Sequence, residues 1–195
     1  MNSSVERALS SRYVLFSVEG SAEGVIIERL VEDDCLVVSR NRIVPDANYY
    51  ERPYTRTRKA SDIAAQYFGV NYAVNGSEGL LIARIVDSRA AKFKLPRNVR
   101  NAAVVYSFFT RPEIEMLAIF REGAYKDWLR AKRRNKDLRP CEFCKGELGL
   151  EKIKETTFLK KYWAKGDELA KSIREYARNC HRDKGENILA DLLKE

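Results

Sequence analysis

The stretch YVLFSVEGSAE, Tyr13 to Glu23, decides how the chain is read. A short apolar run through Val18 ends on an acid, Glu19, and Gly20, Ser21, Ala22 and a second acid, Glu23, follow. Such a run bounded by a glycine fits a buried strand better than a helix, and the residues from Ala22 onward carry a helical pattern. Glu19 is thereby placed at the carboxyl end of a strand, on the side where open α/β sheets bind ligands. An acid at a strand end can also be merely solvated. Its role therefore depends on what else reaches that edge.

Working outward, Glu23 to Asp33 puts Val25, Ile26, Ile27, Leu30 and Val31 on one side of a helix. Cys35 to Val38 (CLVV) predicts the next strand, with Cys35 pointing into the core. Asn41 to Lys59 has no clean period: Pro45 and Pro53 interrupt it, and Tyr49, Tyr50 and Tyr54 alternate with Arg52, Arg56, Arg58 and Lys59. Interleaved tyrosines and arginines suit base stacking and phosphate contacts, and equally a loop whose aromatics pack locally. Ala60 to Phe68 predicts a helix stopped at Gly69, and Leu80 to Val86 (LLIARIV) a buried strand that again ends on an acid, Asp87. Ala102 to Phe109 predicts a further strand. Thr110, Pro112 and Glu113 then match a helix start with a capping box. Capping accounts for Glu113 in structural terms and leaves Glu115 the better candidate ligand.

Past Gly123 the pattern is helical and charged. Asp137 to Gly149 reads as a loop carrying Cys141-Glu142-Phe143-Cys144, and short helices are predicted around Phe158 to Trp163, Leu169 to Tyr176 and Ile188 to Leu193. The expected fold class is α/β, a mainly parallel sheet in the order of elements β-α-β-α-β-β with a helical C-terminal part. The expected divisions are a leader at 1–11, an α/β domain at 12–122 and a basic helical extension at 123–195 packed on it.

The chain has 195 residues and a net charge of +8. The positive charge is clustered: residues 84–100 hold six bases against one acid, and residues 121–145 hold nine against four. Clusters of this kind are the electrostatic footprint of a phosphate-bearing partner. No apolar run approaches the roughly 20 residues of a membrane span, and the first twelve residues lack a signal peptide's apolar core. The expected setting is therefore the cytoplasm, with no membrane partner. A glycine-rich P-loop is absent from the sequence, which argues against an NTPase. The single histidine, His181, is far in sequence from the acids, so a water activated by a metal suits this composition better than a histidine base.

Carboxylates at successive strand ends, Glu19 and Glu23, then Asp87, then Glu113 or Glu115, form an acidic group inside a basic frame. Mg²⁺ takes oxygen ligands and keeps several waters, so one to three carboxylates suffice. Such an ion activates water and stabilises charge on phosphoryl oxygens. An apolar strand ending in Glu19-Gly20 and followed by Glu23 resembles the first motif of Toprim domains, closest to the small overcoming-lysogenization-defect (OLD) nucleases of phage defence. The strand LLIARIV places Asp87 where the family's Asp-x-Asp motif begins, and Pro112 to Glu115 resembles a later Pro-x-x-Glu signature. The resemblance spans roughly residues 12 to 120. It implies Mg²⁺ or Mn²⁺ and phosphodiester chemistry, with Glu19 as main metal or acid/base carboxylate, Asp87 as metal ligand, and Glu23 with Glu113 or Glu115 in support. Arg89 stands where the second acid of Asp-x-Asp is expected, which keeps open a binding role without cleavage.

Phosphates would be held by Arg84, Arg89 and Lys92 and by the basic helix with Arg130, Lys132, Arg133 and Arg134. Three functions follow as expectations: a metal-dependent nuclease or phosphoryl-transfer enzyme on DNA or RNA, a non-catalytic nucleic-acid-binding or regulatory subunit, and a component whose basic face meets an acidic protein. A separate ATPase is one possible partner. Cys141, Cys144, Cys180 and His181 are weak as a zinc set, because Cys180 and His181 are adjacent.

Overall fold

Every position of LLIARIV is buried, and a strand covered on both faces needs no alternation of apolar and polar residues. It forms the second strand in the computed structural model, which describes residues 3–87, 93–110, 114–164, 167–179 and 181–195. The sheet comprises β1 (Tyr13–Val18), β2 (Leu80–Val86), β3 (Ala103–Phe109) and β4 (Asn187–Ile188), in that spatial order, with all neighbours parallel. Val18 lies beside Ile85 and Ile85 beside Phe108, so the three long strands end level. Parallel neighbours require long connections. Helices α2 (Ser21–Glu32) and α3 (Ala60–Tyr67) lie between β1 and β2, while α1 (Ser3–Ser11) precedes β1. Between β3 and β4 come α4 (Met116–Arg121), α5 (Tyr125–Arg134), α6 (Pro140–Gly146), α7 (Thr156–Tyr162) and α8 (Glu168–Asn179).

Strand side chains alternate between two apolar layers. Val14, Phe16, Val18, Leu81, Ala83, Ile85 and Phe108 belong to the larger, with α2, α4 and α8; Leu15, Leu80 and Ile82 belong to the smaller, with Val44, Ile63, Tyr67 and Leu95. Each fully buried Ile or Phe contributes about 1.5–3 kcal/mol. The chain between α2 and α3 closes the outer edge of β1: Val44 N–H donates to Val14 O (2.9 Å), Thr55 N–H to Phe16 O (2.8 Å) and Val18 N–H to Thr55 O (3.0 Å).

Several expectations are corrected. Residues 3–11 form a helix, not a leader, and bury Val5 and Leu9. Cys35 to Val38 is not a strand: Leu36 makes a single antiparallel bridge to Leu193 near the C-terminus. The β1 edge that such a strand would join is already occupied by residues 44 and 55. Cys35 is half-buried, with its thiol 3.6 Å from Asp33 O. The helix after β3 begins at Met116, and Thr110 N–H donates back to Val86 O (3.0 Å), extending the β2–β3 ladder. Pro112 and Glu113 lie outside the described residues.

The Cys-x-x-Cys stretch is helical, not a loop. Pro140 opens α6, and the Glu142 carboxylate accepts from Arg139 N–H (2.9 Å), a satisfied first turn. The expected last helix is instead β4 followed by a 3₁₀ turn, Leu189–Leu192. Because the C-terminal part supplies β4, and because Trp128, Phe143, Ile173 and Leu192 join the same apolar cluster as β1, residues 123–195 share one core with the sheet. Among the described residues no helix is long and apolar enough to cross a membrane.

Candidate functional site

The site begins where β1 and β2 end. Glu19 N–H donates to Ile85 O (3.1 Å), continuing the parallel ladder one residue past β1. The Glu19 carboxylate then reaches across, and its Oε2 accepts from Asp87 N–H at 3.1 Å. Two acids 68 residues apart in sequence are thus tied at adjacent strand ends. Asp87 is exposed and Glu19 partly so. Arg58 approaches from the chain covering the β1 edge, its guanidinium 4.0 Å from Glu19 Oε1.

Glu23 joins them from α2. Gly20 is the N-cap, which makes Glu23 the third helical residue, and its carboxylate turns back toward the N–H groups of Gly20 and of Glu23 itself. This is the acidic half of a capping box. A Cβ on Gly20 would stand 2.7 Å from Glu23 Oε2, so the fold-back uses the space a side chain would take. Burial pushes the Glu23 carboxyl above its ordinary range, the backbone hydrogen bonds pull it down, and the nearby charges of Asp87 and Glu19 add to the upward push.

Arg84 does not lie on a phosphate-binding surface, as its place in a basic stretch suggests. It sits within β2, 8% exposed, level with Ser17 and Ser107 on the flanking strands. Its Nη1 donates to Ser107 Oγ (3.3 Å), and the guanidinium lies 4.6 Å from the centre of the Phe93 ring. Burial lowers its pKa and the charge of Glu19 opposes that. The Arg84 guanidinium therefore lies inside the sheet, within reach of the Glu19 charge. Arg89, Lys92 and Glu113 lie outside the described residues.

Glu115 takes a different course. It is buried, pairs with Lys154 at 3.7 Å, and borders a small apolar gap with Ala22, Ile26 and Trp163. The structure joins Glu19 and Asp87 directly, sets Glu23 within reach of their charges, and places Glu115 beside Lys154. On α5, Arg130 pairs with Asp127 (2.9 Å) and Lys132 donates to Leu138 O (2.8 Å), while Arg133 and Arg134 are exposed. Cys141 and Cys144 are buried on α6, the latter against Glu115 O at 3.6 Å, whereas His181 is exposed beside Asp183. Cys180 lies outside the described residues.

Arg58 was expected only as part of the tyrosine–arginine stretch, not beside the acids. Its signal was the run Arg56-Thr57-Arg58-Lys59, but only the pairing of Thr55 with β1 brings that run to Glu19.

For a hard divalent cation the donor set has the right chemistry. It consists of carboxylate oxygens, and the charges of Asp87 and Glu19 add to the upward push on Glu23, which a cation would relieve. Among the described residues no three acids, cysteines or histidines stand close enough to cage an ion. The arrangement suits Mg²⁺ bound through one or two carboxylates, with waters and phosphate oxygens completing the shell. The chain matches no protein-family model, no curated protein and no solved structure, so the reading of this site rests on its own residues.

Proposed function

We propose that the protein is a Toprim-type, metal-dependent nuclease or phosphoryl-transfer enzyme acting on nucleic acid, of the kind found in OLD-type phage defence. The observation that carries this reading is the bond from Asp87 N–H to Glu19 Oε2, which aligns two acids at the carboxyl edge of a parallel sheet. Glu19 and Asp87 would hold Mg²⁺ or Mn²⁺, with Glu23 in support. When bound, the cation supplies an activated water and charge stabilisation at the phosphoryl oxygens. Arg58 draws a phosphodiester toward Glu19, and the buried guanidinium of Arg84 adds a positive charge behind that carboxylate. A separate ATPase partner would bring the nucleotide chemistry that a chain without a P-loop lacks.

The test is cleavage of labelled DNA and RNA with Mg²⁺ or Mn²⁺, comparing wild type with Glu19→Gln. Equal rates would remove Glu19 from the mechanism. A second reading, a nucleic-acid-binding or regulatory subunit without cleavage, draws support from the lack of a three-acid cage among the described residues. It expects strongly salt-dependent binding that survives both EDTA and Glu19→Gln. An affinity that does not change with salt would rule it out.

A further inference from the structure

We propose that the chain from Val44 to Lys59 is a track for single-stranded nucleic acid that leads to Glu19. Its end point rests on the reading above, while the binding itself does not. The segment meets the outer edge of β1 at its two ends, Val44 at Val14 and Thr55 at Phe16 and Val18, with the turn at residues 46–52 between them; Ser17 Oγ then donates to Thr57 O (2.9 Å), and the segment ends with Arg58 beside Glu19. The track therefore runs the length of a six-residue strand, about 20 Å.

Its outer side carries two adjacent aromatics, Tyr49 at 61% and Tyr50 at 79% exposure. The turn that displays them is built. Buried Asp46 accepts from the N–H of Asn48 (2.9 Å) and of Tyr49 (3.1 Å), and Asp46 N–H donates to Arg52 O (3.0 Å). The Arg52 guanidinium lies 4.4 Å from the Tyr49 ring centre and 5.5 Å from that of Tyr54. Toward Glu19 the exposed residues are Arg56, Arg58 and Lys59. Exposed aromatic rings followed by a line of cations match a strand whose bases are free to stack and whose phosphates need counter-charges. A duplex keeps its bases stacked inside and cannot use the tyrosines in this way.

A recess of about 360 Å³ opens beside Tyr50, lined by Ile43, Pro45 and Pro53, by the acids Glu28, Glu32 and Glu51, and by Arg40. Arg40 is engaged by the Val31 and Glu32 carbonyls, and the three carboxylates accept from the exocyclic amine of a base. The geometry therefore points to an unstacked base bearing an amine, such as cytosine.

The test is fluorescence anisotropy of the full chain in EDTA with fluorescein-labelled 12-nucleotide probes: single-stranded DNA, single-stranded RNA and the matching DNA duplex. At least one single strand is expected to bind tenfold or more tighter than the duplex. Tyr49→Ala with Tyr50→Ala is expected to weaken single-strand binding roughly 10- to 100-fold while leaving the duplex unchanged. The two single-stranded probes together show which sugar is preferred. Oligo(dC) is expected to bind tighter than oligo(dT), and equal affinity would overturn the base recess. The track is overturned if the duplex binds as tightly as the single strands, if the double variant keeps wild-type affinity, or if polyglutamate displaces the probe as well as unlabelled single strand does, which would favour an acidic protein partner. Single-strand binding in EDTA with no cleavage once Mg²⁺ or Mn²⁺ is supplied would defeat the enzyme reading and support the track; metal-dependent cleavage with single-strand binding no tighter than duplex would do the reverse.

Discussion

The carboxyl ends of β1 and β2 and the segment just past β3 each receive an acid after an apolar strand, and the fold treats them oppositely. Glu19 and Asp87 are joined through a backbone N–H, lie partly or fully in solvent, and have Arg58 as a distant counter-charge. Glu115 is buried at the start of α4 and faces Lys154 among apolar side chains of α2 and α4. The edges differ as well. The outer side of β1 is covered by chain that carries tyrosines and arginines, whereas β4 pairs only with Phe108 and Phe109 of β3. An acid at a strand end becomes a ligand candidate only where its neighbours leave its oxygens accessible.

The comparison is broken most sharply by exchanging the two acids for amides. Glu19→Gln is expected to lower Mg²⁺-dependent single-turnover cleavage at least about 100-fold, the scale of losing an electrostatic contact to the reacting phosphoryl group. Glu115→Gln is expected to stay within about threefold of wild type. Equal losses in the two variants would erase the distinction.

Next in size is the β1 cover. A Cβ on Gly24 of α2 would lie 2.5–2.7 Å from the ring of Tyr54, beside the Thr55 bonds to β1. Gly24→Ala is therefore expected to destabilise the fold by about 1–3 kcal/mol in urea titration, through overpacking. No change would show that the cover yields freely.

A smaller effect concerns pH. Burial first, and then the charges of Asp87 and Glu19, raise the Glu23 carboxyl above its ordinary value of 4.5. A carboxyl with a raised folded pKa binds its proton more readily in the folded chain, so stability falls as pH rises from the unfolded value through the folded one. Stability measured across that interval is expected to decline in wild type and to flatten in Glu23→Gln, which keeps an acceptor for the Gly20 N–H. Mg²⁺ should offset the decline by neutralising the same charges. An unchanged slope in the variant would detach Glu23 from the acidic group.

The smallest change is expected on the β3 side. The Lys154 side chain is 62% exposed, and Lys154→Ala should shift stability by no more than about 1 kcal/mol. A larger loss would mean that Glu115 depends on this lysine alone.

Much of the sheet was legible. Leu80–Val86 was expected with the observed bounds, because a strand covered on both faces is written as a continuous apolar run. Glu19 and Asp87 were legible as strand-end acids for the same reason. The misread parts have a shared cause. CLVV resembles a strand, but the β1 edge it would join is taken by residues 44 and 55. Asn187–Ile188 is too short for a period to show, and it becomes a strand only because Phe108 and Phe109 present an edge. Cys141 and Cys144 looked like loop thiols until packing against α4 made them core residues on α6.

Local chemistry in the sequence determined the apolar strands, the acids at their ends and the concentration of positive charge, since each depends on residues adjacent in the chain. The tertiary structure decided which acids share a site, that Arg84 is internal, and that Arg58 and the tyrosine-bearing turn lie along the path to Glu19. Those relations are set by strand register and edge pairing between segments tens of residues apart, and no local pattern encodes them.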